Sequence, residues 1–99
     1  DLVGDGSYRY TIPIDRNIDD INRRIERVFR EAVMSVEDSD NIVVIRTLEG
    51  AAQAVGAIVD DLDWPEVVGS LAGDDTIFVV VKPADKALEI MARFNKFRR

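Results

Sequence analysis

Residues 42–62, IVVIRTLEGAAQAVGAIVDDL, contain the change of period that decides the fold. Ile42-Val43-Val44-Ile45 is a continuous apolar run, as in a strand covered on both faces, and the strand reads from Ile42 to Leu48. From Gly50 to Leu62 the apolar residues recur at helical spacing: Ala51, Val55, Ile58, Val59 and Leu62. Asp63-Trp64-Pro65 ends that helix, with Trp64 as an apolar anchor where the chain turns.

Downstream the strand signal returns. Val67 to Ala72 and Thr76 to Lys82 flank the turn Gly73-Asp74-Asp75, and the β-branched run from Ile77 to Val81 suits the middle of a sheet. Pro83 breaks the second strand, and residues 84–97 read as a last helix with Ala87, Leu88, Met91 and Phe94 inward. Upstream, Ala32 to Val36 reads as a strand joined to Ile42 by the acidic turn Glu37-Asp38-Ser39-Asp40-Asn41. Before it, residues 18–31 carry Ile18, Ile21, Ile25, Val28 and Phe29 as a helical stripe, with Asn17 as N-cap. Residues 1–13 read as a hairpin around Gly4-Asp5-Gly6, in which Tyr8, Tyr10 and Ile12 alternate. The predicted fold is α+β: a four-stranded, mainly antiparallel sheet with helices packed on one face, in the order α-ββ-α-ββ-α.

Composition narrows the chemistry. Ninety-nine residues suffice for one domain with a modest core, which a partner subunit would supplement. The chain starts at Asp1 and reads as a fragment or a processed product. Without cysteine there is no disulfide or thiolate metal site, and without histidine the commonest general base is missing. No apolar run reaches the ~18 residues of a membrane span, so a cytoplasmic protein is expected. Net charge is −6, which makes the chain as a whole a poor ligand for DNA. Ten acids and a single base, Arg46, lie between Val33 and Asp75, whereas bases cluster at Arg23, Arg24, Arg27, Arg30 and again at Arg93, Lys96, Arg98, Arg99. The acidic middle is either a solvated surface or a site for a cationic ligand.

Two places in that middle bear on the choice. On the helix at 50–62, Gln53, Gly56, Ala57 and Asp60 stand at i, i+3, i+4 and i+7 and share one face. Polar residues at its two ends, about 10 Å apart along the axis at ~1.5 Å per residue, enclose a floor of small residues. Such a face admits a ligand, or simply allows tight packing. Asp60, Asp61 and Asp63 crowd the C-terminal end of the helix, where the dipole disfavours carboxylates by roughly 0.3–1 kcal/mol each. Asp74 and Asp75 are adjacent carboxylates in a turn. Turn chemistry explains them, and so would a guanidinium gripped between them. The acidic turn at 37–41 lacks the glycine and ligand spacing of a calcium loop.

Taken together, Val43-Val44-Ile45-Arg46-Thr47, Gly50-Ala51-Ala52-Gln53-Ala54-Val55, Leu62-Asp63-Trp64-Pro65-Glu66 and Gly69-Ser70-Leu71-Ala72-Gly73-Asp74-Asp75-Thr76-Ile77 resemble the C-terminal domain of bacterial arginine repressors. The glycine-alanine-glutamine segment and the later glycine-aspartate-aspartate-threonine, at this separation, carry the likeness. The chain departs from the family at Glu49, where proline is common. Residues 1–13 are similar to the wing of that family's DNA-binding domain; residues 14–31 read as linker and helix, and residues 32–99 as the arginine-binding oligomerisation domain, the likeness being good from Ala32 to Lys82 and loose over the last helix. The resemblance implies a homotrimer that pairs into a homohexamer, with L-arginine as co-repressor and no metal. It implies operator DNA contacted only through an N-terminal domain, with repression of arginine biosynthesis genes and activation of some catabolic ones. By matching position it places Gln53 and Asp60 on one wall of the arginine site, with Gly56 and Ala57 as its floor. Asp60 then holds the α-amino group, and Asp74 and Asp75 of a facing subunit pair with the guanidinium.

Two further readings compete with a sensor. One is a metal-assisted enzyme with Asp60, Asp74 and Asp75 as oxygen ligands for Mg²⁺, for which the sequence offers no evident nucleophile or base. The other is a homo-oligomerisation module, or an amino-acid-binding domain of ACT type, without DNA function; the strand–helix order of the ACT type differs from that read here.

Overall fold

In the computed structural model residues 14–99 are described, so the hairpin expected over residues 1–13 lies outside the described residues. Helix α1 (Ile14–Ala32) leads into strand β1 (Val33–Ser39), and β2 (Ile42–Thr47) follows. Helix α2 (Ala52–Leu62) crosses to β3 (Val67–Ala72) and β4 (Thr76–Val81). A 3-10 turn (Ala84–Lys86) opens into helix α3 (Ala87–Lys96). The order is the α-ββ-α-ββ-α of the sequence reading. The sheet runs β1-β2-β4-β3, antiparallel at every pairing. The β-branched strand β4 lies inside it, as expected from its composition.

Strict alternation decides which side faces the helices. Val43, Ile45, Ile77, Val79 and Val81 point inward and are buried with Ile25 and Phe29 of α1, Val55, Ile58 and Val59 of α2, and Ile90 and Phe94 of α3. Among the described residues no helix covers the opposite face. Ile42 and Val44, read as covered on both sides, are only half-buried. Phe78 lies between Val44 and Leu71 in the register, and Phe78 and Leu71 are 48% and 74% exposed.

Several boundaries differ from the sequence reading for local reasons. Helix α1 already runs at Ile14, so Asn17 lies inside it and is not the N-cap. Strand β1 continues to Ser39, and only Asp40 and Asn41 form the hairpin loop, with Asp40 at φ 53°. Glu37 and Asp38 therefore pair with Val44 and Val43. Charged residues fit there because β1 is an edge strand, where they discourage further strand addition. Helix α2 begins at Ala52; Gly50 sits at φ +78°, a backbone that favours glycine, and belongs to the turn. In α3 the expected inward Leu88 is exposed and Ile90 is buried. The 3-10 turn delays the α-helical phase to Ala87, so the inward stripe is Ala87, Ile90, Met91 and Phe94.

The sharp turn after α2 is fastened to α3. Asp63 caps α2 in the left-handed region, and Trp64 packs on Phe94 with ring centroids 5.0 Å apart. Arg93 donates twice to Glu66, at 3.1 and 2.7 Å, and also to Glu89, and its guanidinium lies 5.2 Å from the Trp64 ring. The hydrogen bond from Arg93 holds the Glu66 and Glu89 carboxyls below their ordinary range. A depressed folded-state value means stability present above the ordinary glutamate value, about 4.3, and lost as pH falls through the depressed one. Melting followed by circular dichroism should therefore show Arg93→Met less stable than wild type at pH 7, with the difference narrowing on acidification as the two carboxyls protonate. A constant difference across that range would remove the Arg93 ion pairs as its cause.

Candidate functional site

The site is built where α2 lies across β3. Ser70 and Ala72 sit opposite Val79 and Ile77 in the register, which places them on the helix side of the sheet. There they meet the face of α2 formed by Gln53, Gly56, Ala57 and Asp60. Together with Leu71 these residues line an open cleft of ≈ 330 Å³. Ser70 Oγ donates to Asp60 Oδ1 at 2.7 Å and fixes the orientation of that carboxylate. A β-carbon built on Gly56 would stand 3.1 Å from the Ala72 β-carbon, so the floor is also a tight helix–strand contact. Ligand floor and packing contact, the two readings of the small residues, are here the same surface.

All four residues of the α2 face therefore come together. Ser70 and Ala72 join them, and sequence spacing did not single these out. Their signal was the two-residue alternation of β3; the nearness of that strand to α2 was not visible. A second hollow of ≈ 140 Å³ adjoins the Asp60 end and is lined in part by Asp63, Trp64 and Val67. The wall of the cleft carries a carboxylate and no cationic side chain. Its polar donors and acceptors at Gln53, Asp60 and Ser70 suit a small ligand with an ammonium group.

Asp74 and Asp75 do not line this cleft within the protomer. Their loop is held by its main chain at the N-terminal end of α2. The Asp74 carbonyl accepts from Ala52 N at 3.1 Å, satisfying one of the donors a helix start leaves unpaired. The Asp75 carbonyl accepts from Thr47 N at 2.8 Å, and Gly73 N donates to the Thr76 carbonyl at 2.8 Å. Helix α2 needs this carbonyl because its N-cap, Ala51, has no capping side chain. Both carboxylates remain exposed; the Asp75 one accepts from Thr76 Oγ1 at 3.0 Å. Among the described residues no three acidic side chains gather closely enough to hold a metal ion, so Asp60, Asp74 and Asp75 do not form the oxygen triad of the Mg²⁺ reading within one chain.

Comparison with known proteins agrees with this architecture. The profile described as "Arginine repressor, C-terminal domain" matches residues 29–96. The arginine repressor of Moorella thermoacetica is 43% identical over 94 residues, covering 95% of this chain and 62% of the relative. That of Symbiobacterium thermophilum is 46% identical over 95 residues, covering 96% and 63%. That of Pelotomaculum thermopropionicum is 39% identical over 93 residues, covering 94% and 62%. The chain thus spans somewhat under two thirds of the length of these curated relatives. On the matched profile and these identities, the chain belongs to the arginine repressor family and comprises its C-terminal domain.

Proposed function

We propose that this chain is the L-arginine-sensing, oligomer-forming part of a cytoplasmic transcriptional repressor of arginine biosynthesis genes, and not an enzyme. The observation that carries the reading is the α2–β3 cleft, with its small floor, its oriented Asp60 carboxylate and no cation in its lining. The ligand is a small amino acid with a cationic group at each end. Asp60 takes the α-amino group, with Gln53 at the other end of the same wall. Asp74 and Asp75 of a facing subunit take the guanidinium, whose planar fork of donors matches paired carboxylates. A site completed by another subunit accounts for a loop whose main chain is anchored while its carboxylates stay exposed.

The assembly proposed is a trimer that pairs into a hexamer. The uncovered sheet face supports association, since Val44, Phe78 and Leu71 form an apolar row across three strands. Arginine held between trimers stabilises the hexamer over separated trimers by mass action, and six sites on one interface can couple. Operator DNA is contacted through the N-terminal domain, so assembly sets the spacing of those domains over half-sites. Activation of catabolic genes is compatible with the same switch. Among the described residues no helix is long and apolar enough to cross a membrane.

Sedimentation of the chain with and without L-arginine tests this directly. At low micromolar concentration the amino acid should shift the distribution toward hexamer, and lysine should do so less. One mass under all conditions, with no heat of arginine binding, would leave only an oligomerisation module.

A further inference from the structure

The charge of this domain is segregated in space, and the arginine site uses only the acidic part. Residues 33–94 hold four bases and twelve acids. Helix α1 and residues 95–99 hold eight bases and five acids, Asp15, Asp19, Asp20, Glu26 and Glu31. The fold brings those two distant segments together. Arg30 Nη1 donates to the Arg99 carbonyl at 3.2 Å, and Arg98 Nη2 donates to the Met34 carbonyl at 2.8 Å, which sets the end of the chain beside the end of α1.

Helix α1 buries Ile25 and Phe29. Arg23, Arg27 and Arg30 stand at i, i+4 and i+7, on the side away from those two residues, and all three are exposed. They form a crest about 10 Å long at ~1.5 Å per residue, and the contacts of Arg30 and Arg98 set Arg98 and Arg99 beside its end. Of the acidic neighbours, Asp20 reaches Arg23 at 3.9 Å, with both side chains mostly exposed. Charges this close reinforce one another within a Debye length of about 10 Å.

We propose that this cationic crest docks on the phosphate backbone of duplex DNA, as a sequence-independent contact made by the C-terminal domain itself. A row of exposed guanidiniums is suited to phosphates and carries no base readout. Single strands fit less well, because they call for exposed aromatic platforms and the rings directly behind the crest, Phe29 and Phe94, are buried. The acidic remainder of the domain repels the duplex and confines contact to this one side. The inference goes beyond arginine sensing and does not depend on it.

The test is fluorescence anisotropy of a labelled random-sequence 30-bp duplex titrated with the full 99-residue chain, from 50 to 200 mM KCl. Wild type should bind at 50 mM and weaken steeply with salt. The triple variant Arg23→Gln, Arg27→Gln, Arg30→Gln should bind on the order of tenfold or more weaker at 50 mM. Its slope of log K against log salt should be shallower by about 0.9 for each phosphate contact removed. Its calorimetric response to arginine should stay at the wild-type value, since none of the three lines the cleft, and melting curves check that loss of the exposed Arg30–Arg99 hydrogen bond leaves the domain folded. No salt-dependent binding by wild type, or an unchanged slope in the variant, overturns the proposal. So does a variant that loses oligomer mass with unchanged duplex affinity, which would assign the crest to an acidic face of a second copy. Failure of the arginine site would show instead as absent binding heat, with the anisotropy result intact.

Discussion

Asp75→Ala should weaken L-arginine binding by about a hundredfold or more and leave the domain folded. The size follows from removing one member of a charge pair at the site proposed to close between subunits. Such truncations cost on the order of 2–5 kcal/mol, and each 1.4 kcal/mol is about tenfold. The survival of the fold follows from which atoms of Asp75 the fold uses. Its carbonyl holds Thr47 N at 2.8 Å, and alanine keeps that carbonyl. Among the described residues its carboxylate accepts only from the neighbouring Thr76 hydroxyl, and the residue is exposed. Calorimetry with arginine on both proteins, with melting curves as control, separates the two effects. Wild-type affinity in the variant would remove Asp75 from the site.

Phe94→Ala should cost about 3–5 kcal/mol of stability, the range for emptying a buried aromatic position. For a domain of this size that lowers the melting temperature by more than about 10 °C, taking roughly 4 °C per kcal/mol as the minimum. Phe94 is fully buried, stacks on Phe29 at 5.7 Å and supports Trp64 at 5.0 Å. Its loss therefore leaves a cavity shared by α1, α3 and the turn after α2, three elements that cannot all move in to fill it. Trp64 fluorescence should report this loosening before the far-ultraviolet signal of the helices changes. A decrease under 1 kcal/mol by denaturant titration would mean that Phe97, 5.4 Å from Phe29, takes over the position.

Period alone carried the reading of the fold where one face of an element is buried. Ile21, Ile25, Val28 and Phe29 of α1, Val55, Ile58, Val59 and Leu62 of α2 and the alternate residues of β4 meet the core, whereas Ala51 stands before α2 and Ala52 is buried in its place. It failed where a neighbouring turn sets the phase. Leu88 and Ile90 are both apolar, and only the 3-10 turn at Ala84–Lys86 decides which of them points inward. It failed again at Glu37 and Asp38, whose composition suits a turn but whose edge strand tolerates charge. In the site, the α2 residues were legible because a helix repeats its face within seven positions. Ser70 was not, because its bond to Asp60 depends on how α2 crosses β3, which is a tertiary relation. The standing of Asp74 and Asp75 was half legible. Their pairing in sequence marked them, whereas the backbone anchoring of their loop could come only from coordinates.

The 3.1 Å approach of a Gly56 β-carbon to Ala72 has an evolutionary consequence. A side chain there makes the helix–strand contact give by a few tenths of an ångström, so mutation at the floor is felt in packing as well as in the cleft. Gln53, Asp60 and Ser70 stand on the rim, where exchange leaves that seam closed. A lineage shifting its taste from one amino acid to another would change the rim and inherit the floor.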